Sequence, residues 1–235
     1  MARGGRLGWW IVLAALVVAS QAGGEELDPM IRQIDAAAHL RYETVLGFTV
    51  IEHYAVYRGE DETHTAAEMA VRTTYRKGVG KSYEILSQSG SELIQRFGLK
   101  PLLDNEKEIN EPGNVEHSWF TSDNYGMIVK RDVKQTIEGH DCIAVSMTPL
   151  RKAPNMVDGT LWVDARDSSI VEIEGTASRS PSIFAGTTHM MRRYTAMSGF
   201  AMATHARAES GSALFGRTVV TIDYSDYRLE LRPTQ

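Results

Sequence analysis

Apolar and polar positions along this chain follow two periods, and the changes between them mark its elements. From Leu27 to Arg41 the residues Leu27, Met30, Ile31, Ile34, Ala37 and Ala38 recur at helical spacing, while Arg32, Gln33 and Asp35 face away. Asp28 can cap this helix, and Pro29 suits its first turn. From Gly47 the period falls to two. Phe48, Val50, Glu52, Tyr54 and Val56 alternate with Thr49, Ile51, His53, Ala55 and Tyr57, and both sets are partly apolar. A polar turn at "EDET" leads to "AAEMAVRTTYR", and "KGVG" leads to "KSYEILSQSG". These three strands make an antiparallel meander.

The segment "SELIQRFGLKPLLDNEKEINEPG" interrupts the strands. Ser91 is a cap, Leu93, Ile94 and Phe97 follow helical spacing, Gly98 and Pro101 break the helix, and a second piece carries Leu102, Leu103 and Ile109. Such a broken helix suits a lid over one face of a sheet. From about Asn124 the strands return: "YGMIVKRDVKQTI", "CIAVSMTPL", "MVDGTLWVDA", "SSIVEIEGTAS", "THMMRRYTAM", "FAMATHARAES" and "LFGRTVVTIDYSDYRLEL". This is not the alternating rhythm of a parallel sheet. The pattern predicts a mainly β (α+β) fold: one long, strongly curved antiparallel sheet of about ten strands with helices on one face.

The acid-rich stretch "VDGTLWVDARDSSIVEIEG" reads as a hairpin within that sheet. Leu161 and Val163 share a face, with Val171 and Ile173 expected across from them, and Trp162 points the other way. Asp158, Asp164, Asp167, Glu172 and Glu174 are then turn formers and solvent-facing strand positions rather than a catalytic acid pair.

Composition bears on location. Arg3 and Arg6 precede the short apolar run "LGWWIVLAALVVA", and Ser20 and Ala22 supply small residues for cleavage, so residues 1–22 read as a signal peptide. The run is shorter than the roughly 20 residues of a membrane span, and an uncleaved anchor is the alternative reading. The remaining 213 residues, expected to form one domain over 23–235, carry a formal charge of −7. That charge disfavours nucleic acid, whose phosphates need Lys and Arg. A lone cysteine, Cys142, precludes an internal disulfide and does not sit at a lipoprotein processing site. The expectation is a periplasmic protein with no stable membrane span after cleavage.

No catalytic signature stands out. The histidines His39, His53, His64, His117, His140, His189 and His205 show no metal-ligand spacing, and no nucleophile elbow, S-x-x-K or phosphate loop is present. "GVGKS" lacks the full phosphate-loop spacing and reads as a turn. Neither cofactor nor metal is expected. The ten methionines, Met190, Met191, Met197 and Met202 among them, suit ordinary core filling or a soft lining for alkyl chains.

"GTLWVDARDSSIVEIEG", "SRSPSIFAG" and "LFGRTVVTIDYSDYRL", together with "AEMAVRTTYRKG" and the N-terminal helix, resemble the LolA-like group of periplasmic proteins, many labelled outer-membrane lipoprotein-sorting proteins. The resemblance implies an incomplete, curved antiparallel barrel of ten to eleven strands, with helices covering the concave face. It also implies a non-enzymatic binding role for lipoprotein acyl chains or lipid. Related domains act instead as envelope sensors with a protein partner. The residues expected at the site are Leu93, Ile94 and Phe97 from the lid, and Met127, Val129, Trp162, Phe184 and Met190 from strands or loops. Ile183 and Phe184 would gate the cavity or tuck beneath it.

Overall fold

The computed structural model describes residues 26–153, 156–178, 187–212 and 216–233. The expected signal peptide and Phe184 lie outside them. A helix α1 (Pro29–Thr44) precedes strands β1 (Val45–Arg58), β2 (Ala67–Arg76) and β3 (Gly80–Gly90). A helical segment follows, built from α2 (Glu92–Ile94), a π-helical turn (Gln95–Leu99) and α3 (Lys100–Ile109). A short 3-10 turn (Val115–Ser118) then leads to β4 (Tyr125–Ile137), β5 (His140–Pro149), β6 (Val157–Asp164), β7 (Ile170–Ala177), β8 (Thr188–Met197), β9 (Phe200–Ser212) and β10 (Gly216–Leu231).

All ten strands form one antiparallel sheet, ordered β3-β2-β1-β10-β9-β8-β7-β6-β5-β4. The sheet is curved and does not close, so it is an open half-barrel. Its first and last strands pair in the middle, Tyr54 opposite Ile222 and Val56 opposite Val220. Tight turns set the hairpins. Glu138–Gly139 and Ser198–Gly199 both take positive φ, the two-residue turn whose twist matches that of paired strands.

The segment between β3 and β4 must travel from one edge of the sheet to the other, and it does so across the concave face. Its helix is not broken at Gly98 and Pro101 as the sequence suggested. Instead the Lys100 N–H reaches back five residues to the Gln95 carbonyl, widening the helix ahead of Pro101. Pro101 has no N–H, and its ring would strike the carbonyl four residues earlier in a regular helix. The buried Gln95 side chain fixes this turn to the sheet, donating to the carbonyls of Glu68 and Ser89 at 2.7 Å each.

The other half of the concave face is covered by α1. The Asp28 side chain accepts from Met30 N–H at 2.9 Å and from the guanidinium of Arg131 at 2.8 and 3.0 Å. Arg131 stands in an irregularity of β4 between Lys130 and Lys134, so a bulge in the edge strand supplies the anchor for the helix start. Further along, Asp35 accepts from the Ser122 amide and hydroxyl, and Gln33 accepts from the Ser168 hydroxyl. Ile31 and Ile34 are buried, whereas Leu27 and Leu40 are exposed. Trp119 packs on His39 and Tyr42, and Lys77 lies over the Tyr42 ring.

Two apolar clusters result on this face. One joins Ile34 of α1 to Tyr125, Val145, Met147, Leu161, Val163 and Ile173 of β4–β7. The second joins Leu99 and Leu103 to Tyr54, Val56, Met69, Val71 and Val220. A third, smaller cluster on the opposite face gathers Ile137, Cys142, Ala144, Trp162 and Val171.

The acid-rich hairpin differs from expectation in two respects. Trp162 faces Glu172, but the next pair is Val163 with Ile170, so Val171 is an extra residue. That bulge turns Val171 onto the Trp162 side rather than opposite Leu161 and Val163. Asp164 and Glu172 are buried, not solvent-facing. Asp164 holds the turn together, accepting from the backbone and guanidinium of Arg166 and lying 2.7 Å from His140 Nδ1. The Arg166 hydrogen bond above all keeps its carboxyl far below the usual range. Glu172 accepts from Arg193 at 2.7 Å.

Candidate functional site: the concave face

Cross-strand register lines up the concave face in rows. In one row, Met127, Met147, Gly159 and Gly175 are successive partners across β4–β7. Met190, Ala208, Val220, Val56 and Ala67 carry it through β8, β9, β10, β1 and β2. Every position is apolar or has no side chain. Gly159 and Gly175 face each other so closely that a Cβ on Gly159 would collide with the Glu174 carbonyl. Met147, Val220, Val56 and Ala67 are buried, while Met127, Gly159, Gly175, Met190 and Ala208 are only half-buried.

The adjacent row is different. It runs Val129, Val145, Leu161 and Ile173, then meets Arg192, and continues through Ala206, Ile222 and Tyr54. Arg192 is one member of a polar belt between the two apolar clusters. Glu106, hanging from α3, lies 2.8 Å from Lys81 Nζ on β3 and 3.8 Å from the Arg192 guanidinium on β8. Lys81 is the main cause of holding that carboxyl down to about 2. Glu52, 3 % exposed, accepts from the Tyr54 hydroxyl at 2.6 Å. Burial first, and the Glu52 charge second, push the Tyr54 phenol well above its ordinary value. Burial likewise raises Tyr224, with Arg192 opposing it.

Of the residues expected at the site, Ile94, Met127, Val129 and Met190 are half-buried against the concave clusters. Leu93 and Phe97 point outward, 70 % and 62 % exposed. Leu99 and Leu103, a turn further on, take the inward positions instead. Trp162 lies on the far face, its indole donating to Glu174 at 2.9 Å. Sequence reasoning missed Glu106, Arg192, Arg41 and the tyrosines. A usable signal existed in "MRRY": in a strand covered on one face, two adjacent arginines must put one inside.

Among the described residues no group of three or more His, Cys, Asp or Glu is placed to hold a metal ion, and no helix is long and apolar enough to cross a membrane. Cys142 is buried, and its thiol is pushed up by that burial. A depression of about 390 Å³ over β6–β9 includes Thr160, Glu174, His189, Arg207 and Glu209. It is open to water, and Gly159, Gly175 and Met190 of the apolar row line it too.

Fold and site together define an open antiparallel half-barrel with a helix-covered, largely apolar concave face. Solved structures of similar fold include a LolA superfamily protein from Nitrosomonas europaea, with TM-score 0.47 and 14% identity over 86% of this chain and 94% of that one. A putative outer membrane lipoprotein-sorting protein domain from Vibrio parahaemolyticus has TM-score 0.46 and 11% identity over 84% and 91% of the two chains. A DUF1329 family protein from Desulfovibrio piger ATCC 29098 has TM-score 0.44 and 14% identity over 87% and 94%. No protein-family model and no curated protein matches the sequence.

Proposed function

We propose that this protein shelters the acyl chain of a lipoprotein or lipid on its concave face, as a periplasmic carrier with no enzymatic activity of its own. The observation behind this reading is the apolar row from Met127 to Ala67, which crosses nine strands without a polar side chain. Eight interstrand steps give a path of about 38 Å. One leaflet of bilayer hydrocarbon is about 15 Å thick, so the row is long enough for an acyl chain. Each methylene removed from water contributes about 0.8 kcal/mol, which needs no catalytic group to produce tight binding. Methionines at three positions give the lining a side chain that adapts to its occupant.

A second reading is favoured by the lid's outer surface. Leu93 and Phe97 of the lid expose apolar area, and Ile85 and Leu86 of β3 are exposed too, as a protein-docking sensor would require. Native mass spectrometry with solvent extraction, on protein isolated gently from its own periplasm, separates the two. A stoichiometric lipid or acylated protein is the expected result. Protein that is empty, and stays empty after lipid is offered, would sink the carrier reading.

A further inference from the structure

Arg41, in the last turn of α1, is a groove cation with no acidic partner in ion-pair reach. Its terminal nitrogen lies 3.8 Å from the Met202 sulfur on β9, and its Nε is shut off from solvent with no hydrogen-bond partner. Lys81 has Glu106, and Arg192 has the same carboxylate at longer range. Neither Glu52 nor Glu106 forms an ion pair with Arg41. Arg41 is half-buried with its Nε fully so, and a guanidinium that loses water without gaining an acidic partner is costly. Burial depresses the Arg41 pKa, yet a guanidinium stays protonated in any ordinary buffer.

The surroundings are those of a binding site rather than a packing fault. Tyr194 and Tyr227 lie near both Arg41 and Arg192, and Tyr227 lies near the Glu52 carboxylate as well. Tyr227 donates to the Ala203 carbonyl at 2.9 Å, and its remaining lone pair cannot satisfy a cation as an anionic oxygen would. Thr73 Oγ1 and Tyr83 Oη are further buried donors on this face without partners. Met190 precedes Arg192 by two residues on the same strand face, so the apolar row begins one step from the belt.

We infer that Arg41, with Arg192 beside it, is the head-group site for an anionic single-chain amphiphile, whose carboxylate or phosphate sits at the tyrosines while its tail follows the Met190 row. This rests on the acyl-chain reading of the same groove. A neutral acyl chain would leave Arg41 as unpaired as it is now, so the head-group charge is a separate requirement.

Titration of the full mature chain with oleate, with oleyl alcohol and with inorganic phosphate tests it. Oleate should bind at least tenfold more tightly than oleyl alcohol, and phosphate alone should bind far more weakly than dodecyl phosphate. Arg41→Gln should lose about tenfold toward oleate and leave oleyl alcohol unchanged, while Arg41→Lys recovers most of the loss. Equal affinities for oleate and oleyl alcohol, a comparison that needs no variant, would overturn the head-group assignment and leave the groove reading intact. Phosphate binding as tightly as dodecyl phosphate would make the site one for a free anion, which also overturns it. Failure of both oleate and oleyl alcohol to bind would remove the groove reading and this inference together.

Discussion

Glu106 shows how much one side chain can hold in an open sheet. Lys81 and Arg192 sit on β3 and β8, five strands apart, and the carboxylate touches both from above. Its carboxyl is held down to about 2, below the 4.5 of a free glutamate side chain. The stability it contributes is therefore complete above about pH 4.5 and is lost as the pH falls toward 2. Glu106→Gln should cost about 2 kcal/mol near neutrality, since it leaves two cations facing an amide. Urea midpoints of the two proteins should converge between pH 4.5 and 2; a gap that persists at low pH would mean the residue acts through packing. Gly159 makes the opposite kind of demand. Gly159→Val must displace the Glu174 carbonyl and Gly175, and should cost about 2 kcal/mol or more. Gly126→Ala, whose nearest neighbour would be the Thr148 carbonyl at 3.8 Å, is the control and should stay within about 0.5 kcal/mol.

At the level of elements, the strands and α1 were legible because their signals are local. Alternation over "GFTVIEHYAVY", turn pairs such as Glu138–Gly139, and an Asp–Pro helix start each report on their own few residues. The face of the lid was not legible. Leu93, Ile94 and Phe97 fit helical spacing as well as Leu99, Leu102 and Leu103 do, and only the widened turn at Gln95–Leu99 decides which set meets the sheet. The polar belt was hidden for another reason: its members come from β1, β3, α3, β8 and β10, and its ion pairs, Glu106 with Lys81 and with Arg192, join residues far apart in the chain. Val171 was misplaced because a one-residue bulge reverses every face beyond it. The same geometry makes the lid the weakly held element. It rests on Leu99, Leu103, Gln95 and Glu106, whereas β1 and β10 pair along nearly their full length. Amides of residues 92–109 should exchange with solvent faster than those of β1 and β10, and slow when a long-chain lipid is added. Uniform protection of lid and sheet would contradict this. Leu103→Ala should cost about 2–5 kcal/mol if the lid unfolds only with the sheet. It should cost markedly less if the lid detaches alone.

For the whole molecule, an unclosed barrel leaves two edges, β3 and β4, with unpaired backbone groups that could join another sheet. Closure would remove the hazard but would also close the concave face to anything as long as an acyl chain, so the open form needs guarded edges. The β4 edge carries its guard in "KRDVK". Lys130, Arg131, Asp132 and Lys134 are exposed, and the irregularity between Lys130 and Lys134 interrupts the ladder that an incoming strand would have to match. Arg131 is already engaged by Asp28, which leaves the two lysines as the free positive charges on that edge among the described residues. Replacing both in Lys130→Val/Lys134→Val should leave the fold unchanged by circular dichroism, because neither side chain is buried. It should nonetheless promote association, with the weight-average mass rising along a concentration series in sedimentation while the parent protein holds a constant value. A doubly substituted protein with the parent's constant mass would show that the bulge alone protects the edge and that the lysines serve something else.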